Sequence, residues 1–510
     1  MVRLFRPIGV LLGLLVLVLG LPAAAEANPT PAGVSHPRPP QHPRPVPEDP
    51  APTGPDCTTT TSTTQAGYTV ADPRCTFTGA GYSGARFTPT LDAKGRALSR
   101  TYTGIVAGAP YRIEVPKRWN GQLVIYAHGY RGTGTTVFVD DSPLRAYFIQ
   151  QGFAWAGSGY ATNGYDVGQG VRDSHALLGL FAGKIRPARS VYMTGFSMGG
   201  HITAVMIERF RGDFVGAMPA CGVLGDKKLF DYFTDANVTA AALTGTGIQF
   251  PATFEAGQAY APTYDGQVLS ELPKLGTGFV SGNPASVSLT PTGQAWAGVV
   301  QQRTGGVRPG FASGFAFWSS ISFAPLTNVP FLFGVYPGLT GGTQGIADGN
   351  LVDNRFTLYQ IDGSRRLSPA EIALNRSVLR VAPTTAPSRG LSGVPKVFGD
   401  PRIPVLSMHD IGDLFVPFSM EQIYAQRAAA HGQSRLFVSR AIRGVGHCDF
   451  TQSELQAGFH DLVGWVRHGS RPAGDRITDA RAVASPSFGC RFTDRTPGTH
   501  PGFVAPACPS

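Results

Sequence analysis

The segment TGFSMGG at 194–200 constrains this chain more than any other. It sets a serine at the junction between a β-prone apolar run, SVYMT, and a helical pattern, MGGHITAVMIERF. Gly195, Ser197 and Gly199 fit G-x-S-x-G, in which the serine occupies a sharp strand-to-helix turn that lifts its hydroxyl out of the strand. Small residues at 195, 199 and 200 allow the backbone to bend tightly there and the helix to lie close to a sheet. The hydroxyl would also face the positive end of that helix. In a chain with 65 glycines the pattern alone is a weak signal, and its placement between strand and helix gives it weight.

A turn of this kind needs a sheet around it. From about residue 100 short β-rich runs alternate with helical patterns, as in a parallel sheet with crossover helices. The expected strands are 111–115, 123–127, 153–157, 190–194, 215–220, 405–408 and 436–441. Several are continuous apolar runs, as expected for strands covered on both faces. Thr451 and Glu454 are spaced as a capping box before an amphipathic run that stops at Gly469, which marks a final helix.

A serine hydroxyl is a poor nucleophile until a base takes its proton, so the turn calls for a histidine that reaches the same edge of the sheet. His447, in GVGHCDF, follows the last expected strand and precedes the capped helix. The other histidines fit less well, since His128 follows an early strand, His201 lies within the helix after Ser197, and His460 and His468 lie on the final helix. An acid that orients the imidazole should follow an intervening strand. In VLSMHDIGDLFVP that acid is Asp413, with Asp410 as the alternative. The oxyanion of a tetrahedral intermediate requires backbone donors. The expected pair is the amide of Met198 and, from YAHGYRGTG after strand 123–127, the amide of Tyr130.

With AHGY, GFSMGG, D-I-G-D-x-x-V-P and GHC in place, the chain resembles the α/β-hydrolase family, specifically its secreted serine esterases, over residues 111–469 apart from a long insertion. The resemblance implies an α/β fold, a mostly parallel sheet flanked by helices, with a large inserted lid domain. It also implies ester hydrolysis through an acyl-enzyme. The His447–Cys448 pair is similar to the histidine half of the Cys-Ser, Asp, His-Cys arrangement of tannase and feruloyl esterases, although Phe196 rather than cysteine precedes Ser197. Aromatic or polymeric esters are therefore possible substrates. An amidase or peptidase with the same triad is the alternative inside this mechanism. A non-catalytic polymer-binding protein would be expected to lack a triad member, and none is missing.

Composition sets the remaining bounds. MVRLFR followed by an apolar run at 7–21 and LPAAAEA reads as a secretory signal peptide over 1–27, because the run is shorter than the ~20 residues of a membrane span. Secretion makes the six cysteines candidates for disulfides. Cys57 with Cys75 and Cys490 with Cys508 each close a short segment, which leaves Cys221 with Cys448, both expected near Ser197. Residues 28–56 are Pro-rich and read as a disordered linker. The expected plan continues with an N-terminal stapled extension (57–99), the first part of the core (100–221), the lid (222–402), the second part of the core (403–470) and a stapled tail (471–510). The Trp- and Phe-rich stretch 311–323 reads as lid core. The formal charge of +10 comes from scattered Lys and Arg, which points away from nucleic acid. No cofactor, metal site or stable membrane anchor is expected; the partner is a small or polymeric ester.

Overall fold

The computed structural model describes Cys57 and residues 63–65, 67–78, 81–323, 326–496 and 507–509. The expected signal peptide (1–27) and all of the expected linker (28–56) lie outside the described residues.

Among the described residues the main sheet has eight strands: β1 (Ser99–Val106), β2 (Ala109–Pro116), β3 (Gln122–Ala127), β4 (Ala154–Ser158), β5 (Ser190–Phe196), β6 (Gly216–Ala220), β7 (Val405–Asp410) and β8 (Phe437–Ile442). Their order is β8-β7-β6-β5-β3-β4-β2-β1. The pairs from β8 through to β4 are parallel, and β2 runs antiparallel to both of its neighbours. The seven expected strands all appear, with ends moved by one or two residues. The eighth, β1, was not read from the sequence, because SRTYTGIV carries few apolar residues and sits at a sheet edge, where half-exposed positions weaken the hydrophobic signal.

Alternation along the strands distributes side chains between two layers. Leu123, Ile125, Ala127 and Met193 belong to one core with Ile202 and Phe181, whereas Val124, Tyr126 and Tyr192 belong to another with Phe148 and Phe459. The first face is covered by helices α2 (Val167–Lys184) and α3 (Met198–Arg209), the second by α1 (Arg145–Gln150) and α9 (Gln452–His468). Helix α9 begins with the Thr451–Glu454 capping box and ends at Gly469 in the left-handed conformation. A mostly parallel sheet covered on both faces, its second strand antiparallel and a serine turn following its fifth, is the α/β-hydrolase fold.

The N-terminal extension is pinned by Arg112, which donates to the carbonyls of Pro73 and Cys75 at 2.8 Å each. Beyond α9 the chain is less polar in its packing than its composition implies, since Ile477, Val483 and Phe488 enter the main core. Between β6 and β7 the chain builds α4 (Lys228–Thr244), α5 (Phe254–Leu275), α6 (Pro291–Arg303) and α7 (Phe311–Ser320) around Tyr264, Trp296 and Phe333. Helix α8 (Ser419–Ala430) follows β7. The hydrophobic core of the insertion also contains Leu414, Val416 and Met420 from the segment after β7.

Candidate active site

Strand register brings the motifs together. Gly195 pairs with Ala127 and Phe196 with Ala220, so Ser197 emerges at the carboxyl edge beside the residues that follow β3 and β6. On the adjoining pair, Asp410 is in register with Ile442, which brings the segments carrying Asp413 and His447 out at the same edge. Ligand sites of open α/β sheets form at this edge.

Ser197 has φ 60° and ψ −122°, a conformation that costs an L-residue energy and persists only where its surroundings enforce it. Its N–H donates to Ala220 O at 3.1 Å and its carbonyl accepts from Gly200 N at 2.9 Å. The flanking glycines are required by contact. A Cβ on Gly195 would lie 2.1 Å from Gly199 O, and one on Gly199 would lie 2.1 Å from Ala127 O. The helix that follows the turn can therefore press directly on the ends of β3 and β5.

His447 Nε2 lies 2.8 Å from Ser197 Oγ, and His447 Nδ1 lies 2.6 Å from Asp413 Oδ2. Asp413 is fully buried, and its other oxygen, Oδ1, accepts the N–H groups of Phe415 at 2.8 Å and Val416 at 3.1 Å. Both carboxylate oxygens are thus committed, one to the backbone and one to the imidazole. With a proton on Nδ1 facing the carboxylate, Nε2 is left with a lone pair toward the hydroxyl.

Asp410, the alternative acid, is directed elsewhere. Its Oδ2 accepts the N–H of Asp449 at 2.8 Å, and burial, with the nearby charges of Asp449 and Asp413, pushes its carboxyl well above the usual range. His128 is buried and stacked on Tyr160 with ring centroids 3.8 Å apart, its Nδ1 2.7 Å from Gly129 O; burial pushes it well below the ordinary imidazole value. His201 lies between Tyr165 Oη and Pro395 O at 3.0 and 2.7 Å, within the protein core. His460 and His468 are on α9.

Met198 is the first residue of α3, directly after Ser197. On the opposing loop the backbone of Gly129 runs beside the serine, and a Cβ built there would be 3.0 Å from Ser197 Cβ and 3.5 Å from its Oγ. Tyr130 follows, half-buried against the main core.

Three disulfides join Cys57 to Cys75, Cys221 to Cys448 and Cys490 to Cys508, leaving no free cysteine. Cys221 follows β6 and Cys448 follows His447, with Sγ of Cys448 3.6 Å from His447 Nε2. Cys221, His447 and Cys448 bring two sulfurs and a nitrogen within 4.8 Å of one another, but both sulfurs are committed to the disulfide and offer no thiolate to a metal. Like Ser197, both cysteines have positive φ, 46° and 58°.

Sequence reasoning missed the aromatic wall beside the imidazole. The Phe415 ring centroid is 5.0 Å from that of His447, and Phe415 packs in turn against Phe331, Phe323 and Trp318. The stretch 311–323 is thus buried core in α7 and also backs the ring that touches the site. The signal available was Phe415 itself, an aromatic residue between the acid and the V-P that follows it.

The chain has the α/β-hydrolase fold, with a serine, a histidine and an aspartate in hydrogen-bonded sequence at the carboxyl edge of its sheet. No family model matches the chain. It is 22% identical over 433 residues to o-phthalyl amidase from Xanthobacter agilis, covering 74% of this chain and 90% of that protein. Among solved structures it is similar to feruloyl esterase B from Aspergillus oryzae, with 14% identity, a TM-score of 0.40 and coverage of 78% of this chain and 85% of that one. It is also similar to Candida antarctica lipase A, with 14% identity, a TM-score of 0.34 and coverage of 76% and 84%. The likenesses to solved structures carry no function, and the strand order and the serine turn define the fold.

Proposed function

We propose that the chain is a secreted serine hydrolase that cleaves carboxylic esters through an acyl-enzyme. The observation that carries this is the continuous relay from Ser197 Oγ through His447 to Asp413, with links of 2.8 and 2.6 Å. His447 Nε2 takes the proton as Ser197 Oγ attacks the carbonyl carbon, then returns it to the departing alkoxide. Water repeats the sequence to release the acid. Asp413 keeps the proton on Nδ1 and balances the imidazolium. The Met198 and Tyr130 amides receive the developing oxyanion. Phe415 gives the site an apolar wall suited to an aromatic or other apolar portion of a small or polymeric ester.

Amide hydrolysis is the second reading, favoured by the distant relative named as an amidase. Extracellular location is supported by the three disulfides. Among the described residues no helix is long and apolar enough to cross a membrane.

Turnover of nitrophenyl esters and of the matching nitroanilides, measured in parallel, separates the two chemistries. Labelling with an organophosphonate followed by mass spectrometry is expected to modify Ser197, and Ser197→Ala is expected to lower turnover by about three orders of magnitude or more. A label on another serine would end the reading.

A further inference from the structure

The insertion between β6 and β7 reads in sequence as a lid, a cover that governs access. Its side chains also reach the backbone of both loops that carry the acid and the base. Arg308 Nε donates to Ile411 O at 2.6 Å, Tyr232 Oη donates to Leu414 O at 3.0 Å, and Trp318 Nε1 donates to Val445 O at 3.0 Å. The first two carbonyls bracket Asp413, and the third lies two residues before His447. All three donors are buried, with 4%, 1% and 5% of their surface exposed.

Two further contacts tie the same elements. A Cβ on Gly314 of α7 would lie 2.3 Å from Gly412 O, so α7 rests directly on the backbone of the acid loop. Leu414 and Val416 are buried in the insertion's own hydrophobic core. The acid and base loops are joined to each other by Gly412 N to Gly444 O at 3.0 Å. These loops are therefore held from the sheet side by β7 and β8 and from the other side by the insertion.

We infer that the insertion is a structural half of the catalytic apparatus, in which Arg308, Tyr232 and Trp318 are positioning residues that hold Asp413 and His447 in register with Ser197. This rests on the triad reading proposed above. Arg308 has a second role through its charge. Among the described residues it forms no ion pair; its remaining polar contacts are Gly306 O and Thr304 Oγ1, and its guanidinium lies 5.2 Å from the Phe311 ring. Burial lowers it to about 10, with Tyr232 and Asp413 acting in the opposite direction, so it stays a cation at neutral pH. A buried positive charge on this side of the acid attracts the Asp413 carboxylate and helps hold it in place. The other titratable groups near that carboxylate are Tyr232 from the insertion and His409 and Asp410 from β7, with Glu421 behind His409.

The test uses the full chain and four variants, Tyr232→Phe, Trp318→Phe, Arg308→Lys and Arg308→Gln, each normalised to the fraction of sites that react in a phosphonate burst. Removing a donor while keeping the ring or the charge is expected to lower kcat about tenfold, with KM within about twofold, because displaced catalytic groups lose rate without losing substrate contacts. Arg308→Gln, but not Arg308→Lys, is expected also to move the acid limb of the kcat/KM profile to higher pH. A role in folding alone would lower the burst fraction and the melting temperature and leave the kcat and pH profile of the surviving sites unchanged, which would overturn the inference. Full kcat in all four variants would overturn it too. If those variants stay active while Ser197→Ala is dead, only this inference fails. If Ser197→Ala stays active, the triad reading fails and takes the inference with it.

Discussion

Replacing Asp413 by asparagine isolates what the carboxylate does, because the site dictates how the amide must sit. Oδ1 accepts two backbone N–H groups, from Phe415 and Val416. An asparagine that turned its NH2 toward them would leave two donors unmet, one buried and one part-buried. At about 1–3 kcal/mol each, that orientation lies roughly 2–6 kcal/mol higher, a bias of about thirtyfold or more. The amide oxygen therefore stays on the backbone, and the NH2 replaces the oxygen now 2.6 Å from His447 Nδ1. A donor in that place requires a bare Nδ1, so the imidazole proton moves to Nε2. The nitrogen 2.8 Å from Ser197 Oγ then has no lone pair to offer. Geometry and stability should be nearly unchanged while kcat on a nitrophenyl ester falls by about 10⁴, the loss that tautomer inversion causes in a serine protease of unrelated fold. Asp410→Asn is the control, expected to stay within about threefold, because among the described residues its carboxyl bonds only the Asp449 N–H and burial already pushes it toward the neutral form. Activity of Asp413→Asn above one-tenth of the parent, with an unchanged melting temperature, would refute the reasoning. A reversed pair of effects would make Asp410 the acid.

Three other outcomes follow from particular contacts. Gly199→Ala is expected to destabilise the fold by roughly 3 kcal/mol or more, since its Cβ would sit 2.1 Å from Ala127 O and only backbone movement relieves that; urea unfolding within about 1 kcal/mol of the parent would contradict it. The Cys221–Cys448 disulfide closes a separation of 227 residues, for which the chain-entropy contribution approaches ~5 kcal/mol; in a dithiothreitol titration, esterase activity should fall before near-ultraviolet circular dichroism, and free thiols at both positions in the untreated protein would exclude the role. Glu271, buried against Thr244, is raised to about 7 by desolvation, so the folded state holds its proton where the unfolded chain releases it. Stability should therefore fall as pH rises from about 4.5 through 7, by up to roughly 3 kcal/mol, and Glu271→Gln should flatten that slope in urea melts at pH 5 and 8.

What the sequence by itself determined is local or ordered along the chain: the strand-to-helix turn at Ser197, seven of the eight described strands of the main sheet, the capped final helix, and the order Ser197, Asp413, His447. Each rests on periodicity, glycine spacing or capping chemistry, which act over a few residues. Asp413 and Asp410 are one short turn apart and chemically alike, and no local rule separates them. The backbone after β7 does so, by aiming one carboxylate at His447 Nδ1 and the other at the N–H of Asp449. In the same way β1 stayed hidden because an edge strand with few apolar residues leaves a faint pattern, and Phe415 because its meaning depends on what it faces. The composition of the insertion says only that it packs. That Arg308, Tyr232 and Trp318 donate to carbonyls more than 100 positions away depends on long-range packing, and only tertiary structure decides it, because the partner of a buried donor is chosen by the whole fold closing around it.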